Sequence, residues 1–323
     1  MYGTMQQEKR EVRRSANFVG WLLLALMGGQ MIITVLLVLL SWFGIADLSK
    51  ADYGLGGIGY PLFQMLLYMI YLTLPVVLTA LIAGRWENPF PTRRTPRGTY
   101  AVAIFGGMTL SVLANMTTSV FVSILTKFGV PYPELPDSME PTVVSLVLNV
   151  ISTAVFPAII EEMVFRGYVL GALRPHGDKV AVIVSAALFG LIHGNILQVP
   201  FAFILGLVLG WLVVQTNSIW PAVVLHGVNN LISVVLQWVE LHFPDNELLT
   251  AATFIVLCAA GIVVFSTVLL QNTSYHRDLL RPMSNGVSQS RVSQRVCWIL
   301  TAPALVVGGC IWLLALLASM LPK

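Results

Sequence analysis

The chain reads as an all-α protein, a polytopic transmembrane helical bundle of about 8–9 spans. Three observations lead there. Of its 323 residues, 57% are hydrophobic and only 10% are charged. The mean hydropathy is +0.82, which a water-soluble fold does not sustain. The apolar residues also come in runs of about 20 or more that are apolar all round, whereas the strands of a membrane barrel would alternate in polarity. Only helices and closed barrels satisfy their backbone inside lipid, so helices remain.

Nine apolar segments fit this reading, at about 18–45, 61–84, 99–126, 142–173, 180–195, 197–215, 218–239, 249–271 and 296–321. The first follows Lys9, Arg10, Arg13 and Arg14. That order imitates a signal peptide, but at roughly 28 residues the run is too long and is expected to stay as an anchor. After the third, Pro131, Pro133, Pro136 and Pro141 interrupt the chain, so an extended loop is expected before the fourth. Segments five to seven follow on short connections. The stretch 272–295, with its Ser, Asn, Gln and Arg, is expected to be flexible and solvated. Trp42, Tyr60, Trp220 and Trp238 read as interfacial anchors. His176 and His242 fall in loops and read as solvated. Three regions result: 1–60, a basic segment and first membrane anchor; 61–240, the core; and 241–323, two C-terminal spans joined by a basic loop.

Loop charges alternate along the chain. The segments 1–17, 85–98, 174–179 and 272–295 carry most Lys and Arg, including Arg85, Arg94, Arg174 and Arg277. The opposite loops carry Lys50, Lys127 and Lys323 among Asp and Glu. Basic loops remain in the cytoplasm, so a multi-pass cell-membrane protein with a cytoplasmic N-terminus is expected. The formal charge of +3 sits in short loop clusters, a pattern that offers nucleic acid no surface. Cys258, Cys297 and Cys310 have no paired spacing, so neither a disulfide framework nor a thiolate zinc site is indicated.

Against this background Glu161, Glu162 and Arg166 stand out, because charge within a span costs roughly 2.5–3.5 kcal/mol per residue on insertion scales. Two later segments add His193 and His226. Glu162 and Arg166 are four apart and share a helix face, so they read as a supporting pair. Glu161 points about 100° away and can face a neighbouring helix. Phe189 precedes His193 by four residues and reads as packing that shapes a pocket. His226 and Asn230, again four apart, present an imidazole beside an amide. Gly206 and Gly210 form a GxxxG, and Gly190, Gly194 and Gly227 adjoin the histidines, which suits close helix packing. Counted at 1.5 Å per residue from the helix ends, Glu161, His193 and His226 fall at roughly similar depths.

These are the parts of water-activated amide hydrolysis. Glu161 and His193 can activate water, while His226 and Asn230 can steady the oxyanion that forms on the attacked carbonyl. No cofactor is required. Zinc held by Glu161, His193 and His226 is the alternative, since carboxylate and imidazole are ordinary zinc ligands. No HExxH motif supports it.

The motifs EExxxR at 161–166, FxxxH at 189–193 and HxxxN at 226–230, in that order on successive apolar segments, resemble those of the CPBP family. These are the CAAX proteases and bacteriocin-processing proteins, also called the Abi family, and they include the type II CAAX prenyl protease. The resemblance covers about 140–240. It implies a multi-span helical fold with a conical intramembrane cavity open towards the cytoplasmic side, and glutamate-dependent hydrolysis of a peptide or membrane-protein substrate. Members have been described both as metalloproteases and as glutamate proteases, so the resemblance leaves the metal open. A proton-coupled transporter and a non-catalytic immunity or peptide-binding protein are the competing classes. The first is opposed by the lack of repeats, the second by the presence of every motif residue.

Overall fold

A computed structural model describes residues 4–50, 52–84, 90–130, 139–243, 247–271, 279–286 and 288–318. Expectations that fall on Arg85, Pro131, Pro133, Pro136, Arg277 and Lys323 lie outside these residues. The long helices are α1 (Met5–Trp42), α2 (Gly56–Ile82), α3 (Arg97–Lys127) and α4 (Val143–His176). They are followed by α5 (Asp178–Ile192), α6 (Val199–Thr216), α7 (Trp220–His242), α8 (Glu247–Gln271), α9 (Val292–Leu300) and α10 (Pro303–Ala318). No strand occurs among the described residues.

All nine expected segments fall on helices, but fewer are long enough to cross. Among the described residues six helices qualify by length and composition, or seven if α9 and α10, bent by 63°, are one span. The difference is physical. Helix α5 has 15 residues, about 22 Å of rise against a hydrocarbon core of about 30 Å. The exterior is apolar, as at Met31, Leu62, Val120 and Ile183, whereas Glu161, Glu162, Arg166 and His226 are buried. That distribution, apolar outside and charged within, is the one lipid enforces.

Two of the helices contain wide π turns just ahead of a proline. In α2 the turn Met69–Thr73 precedes Pro75, and in α4 the turn Val150–Val155 precedes Pro157. Proline has no N–H and crowds the carbonyl four residues back, and a widened turn relieves that crowding. A further π turn, Met163–Val169, follows the two glutamates directly.

Helix α1 packs along α10 through glycine. A Cβ on Gly20 would lie 2.1 Å from the Ala304 carbonyl carbon and the Leu305 nitrogen, and Gly308 faces the Gly20 carbonyl oxygen. Asn17 Oδ1 accepts from the Ala304 N–H at 3.0 Å, and Trp312 Nε1 donates to the Leu23 carbonyl at 3.1 Å. Gly20→Ala is therefore expected to lower stability by about 1–3 kcal/mol through overpacking, read as earlier thermal unfolding in detergent.

Two loop expectations are corrected. Much of 279–286 and 288–291 is tied down: Arg281 Nη2 donates to the Val214 carbonyl at 2.9 Å, and the Ser284 N–H donates to Asp178 Oδ2 at 2.9 Å. Glu8, near the start of α1, accepts from the Ser288 and Ser290 hydroxyls and from the Gln289 and Ser290 N–H groups. The polar composition that suggested solvation instead saturates a buried carboxylate. His176 is likewise buried at 4% exposure, 3.1 Å from Ser15 Oγ, whereas His242 is exposed.

Candidate active site

Helix α4 delivers its two glutamates in different directions. Glu162, fully buried, accepts through Oε1 from Arg166 Nη1 at 2.8 Å and from His226 Nδ1 at 3.0 Å. Arg166, also fully buried, donates through Nη2 to the Gly206 carbonyl at 3.1 Å. Its guanidinium carbon lies 4.4 Å from the centre of the Phe189 ring. The GxxxG on α6 makes this reach possible. A Cβ on Gly206 would meet the Ala186 Cα at 3.0 Å and one on Gly210 would meet Val182 at 3.1 Å, so α6 lies close against α5.

Glu161 faces a cavity instead. The space, about 600 Å³, is lined by Glu161, His193, His226 and Asn230 together with Phe189 and Tyr68. Glu161 Oε1 accepts from the Tyr68 hydroxyl at 3.0 Å, and its Oε2 is 3.9 Å from His226 Nε2. The latter is too long for a direct hydrogen bond.

Each remaining polar side chain is oriented by a partner. Helix α5 ends at His193 because Gly194 turns to φ +63°, the left-handed conformation that terminates helices. His193 Nδ1 is 2.7 Å from the Phe189 carbonyl oxygen. A carbonyl only accepts, so Nδ1 carries the proton and neutral His193 presents an Nε2 lone pair. His226 is fixed the same way, since the Glu162 carboxylate paired with Arg166 only accepts from its Nδ1. His226 can donate through Nε2 only when doubly protonated. Phe189 lies at the centre of this group, with ring centroids 5.0 Å from His193, 5.7 Å from His226 and 5.3 Å from Phe165.

Asn230 owes its orientation to Pro157. The proline offers no N–H to the Thr153 carbonyl four residues back, and Asn230 Nδ2 donates to that oxygen at 3.1 Å. Ser111 Oγ donates to Asn229 Oδ1, and Asn229 Nδ2 donates to Asn230 Oδ1 at 3.1 Å. This chain fixes which end of each amide is the donor, and leaves Asn230 a second N–H.

The structure thus gathers Glu161, His193, His226 and Asn230 at one cavity and sets Glu162 and Arg166 behind it. His193 shares the cavity with Glu161 without a direct contact; the imidazole within 4 Å of the carboxylate is His226. Sequence reasoning missed Tyr68, Ser111 and the bridging part of Asn229. A signal for the first was present: Gln64, Tyr68 and Tyr71 stand at i, i+4 and i+7 in an apolar span, and all three line the cavity.

Among the described residues no group of three or more His, Cys, Asp or Glu side chains could hold a metal ion.

Comparison with known proteins bears on the same segment. Residues 143–232 match the family model described as type II CAAX prenyl endopeptidase, Rce1-like. A putative membrane peptidase, YdiL of Bacillus subtilis (strain 168), is 26% identical over 91 residues, which is 28% of this chain. The chain spans 37% of the length of that relative. No solved structure matches the chain. The matched segment runs from the start of α4 into α7 and so contains all three motifs, and the apolar helices make this a multi-pass membrane protein.

Proposed function

We propose that the protein is a metal-free intramembrane endopeptidase that hydrolyses a peptide bond of a membrane-associated or peptide substrate. The observation that carries this reading is that Glu161, His193, His226 and Asn230 all line one cavity. Water held between the Glu161 carboxylate and His193 Nε2 gives up a proton to one of them, and its oxygen attacks the carbonyl carbon. The oxyanion so formed accepts from the second N–H of Asn230 and from Nε2–H of doubly protonated His226. Collapse of the intermediate breaks the C–N bond, and the abstracted proton passes to the leaving amine. Water and one peptide bond become a carboxylate and an amine.

Glu162 and Arg166 hold His226 in place and keep its Nδ1 proton directed away from the cavity. The bias of basic residues towards alternate loops supports a cytoplasmic N-terminus and cleavage nearer the cytoplasmic leaflet. Cleavage of a quenched fluorogenic peptide library by detergent-purified protein is expected to persist in the presence of a chelator. Loss on chelation with recovery on added zinc would overturn the metal-free mechanism.

A further inference from the structure

We infer that Tyr68 is a positioning residue for Glu161, which it holds so that Oε2, and not Oε1, meets the reacting water. The inference rests on the peptidase reading above. Tyr68 lies on α2, outside the 143–232 segment that matches the Rce1-like family model. Its hydroxyl is 3.0 Å from Glu161 Oε1. An ionised carboxylate only accepts, so the tyrosine is the donor, and a hydrogen bond to an ionised group is among the stronger ones in a protein.

The tyrosine is itself well fixed. Its ring meets Phe156 of α4 edge-on, with centroids 6.4 Å apart, and lies 5.6 Å from the ring of Tyr71. The π turn of α2 begins at the next residue, Met69, ahead of Pro75, so the helix is widened where it passes Glu161. With Oε1 committed, Oε2 is the oxygen directed at His226 Nε2 across 3.9 Å. That gap excludes a direct hydrogen bond, so the Oε2 lone pairs stay open to the water that Glu161 shares with His193. Tyr68 therefore decides which lone pairs of the base are available and where they point. The catalytic arrangement is incomplete without α2, even though the three motifs all lie between α4 and α7.

The test is Tyr68→Phe, which keeps the ring and deletes only the donor, assayed in the full-length detergent-purified protein. A fall in kcat of about tenfold or more, with KM changed less than twofold, is expected from the loss of a hydrogen bond to a charged group. In a Glu161→Asp background the shorter carboxylate no longer reaches the hydroxyl, so Tyr68→Phe is expected to cost less than twofold. A structural role for Tyr68 would instead cost the same in both backgrounds. An unchanged kcat, a rise in KM alone, or equal losses in the two backgrounds would overturn the inference while leaving the peptidase reading intact. A wild-type protein that cleaves no peptide would overturn both.

Discussion

Glu161→Gln is expected to lower kcat for peptide cleavage by about 10³-fold, within the range of roughly 10²–10⁴ that a positioned general base contributes. The amide cannot take a proton from water, but its oxygen can still accept from the Tyr68 hydroxyl. The substitution is nearly isosteric and removes a charge from the cavity wall, so folding is expected to survive. The contrast is with Glu162→Gln, where the carboxylate lies away from the cavity and bridges Arg166 Nη1 and His226 Nδ1. There the loss would pass through both the stability of the bundle and the orientation of His226. Thermal unfolding in detergent beside initial-rate kinetics separates the two: Glu161→Gln should unfold at the wild-type temperature, Glu162→Gln below it.

Arg166→Met is expected to give the largest loss of stability, about 3–5 kcal/mol, because it strands a buried carboxylate without its partner. Glu162 is fully buried, and its Oε2 has no hydrogen-bond partner among the described residues. The guanidinium also fills space against Phe189 and donates to the Gly206 carbonyl, so a charge deletion here removes packing as well. Combining Arg166→Met with Glu162→Gln should recover part of the loss, since a neutral pair leaves no stranded charge. A double-mutant cycle on the unfolding midpoint measures that recovery. Strict additivity of the two losses would contradict the pairing.

Much of the fold is legible in the sequence because lipid leaves few choices. Apolar runs such as 18–45 and 218–239 must be helices, and they coincide with α1 and α7. The count of crossings is less legible, because a run as short as 180–195 does not say by itself whether the chain crosses; in the structure α5 stops after 15 residues, where Gly194 turns the chain. Within the site, the pairing of Glu162 with Arg166 follows from local helical geometry. The approach of Tyr68 to Glu161 joins residues 93 apart in the chain, and no local periodicity encodes it. The register of α2 on α4 depends on two proline-associated π turns, whose effect is tertiary. The link from Pro157 through the Thr153 carbonyl to Asn230 is similarly invisible until α7 is seen beside α4. Polar stretches mislead in the opposite direction. Ser288 and Ser290 read as solvent-loving, yet they and the neighbouring backbone satisfy Glu8 on the first helix.

The most direct test of hydrolysis at this cavity is cleavage of a single peptide in ¹⁸O-labelled water by purified wild-type protein, followed by mass spectrometry, with Glu161→Gln alongside. The account predicts equal amounts of two fragments, with one ¹⁸O in the newly formed carboxyl group of the N-terminal fragment and neither product from Glu161→Gln. Intact peptide recovered from wild-type protein that nonetheless binds it, or cleavage undiminished in Glu161→Gln, would contradict it.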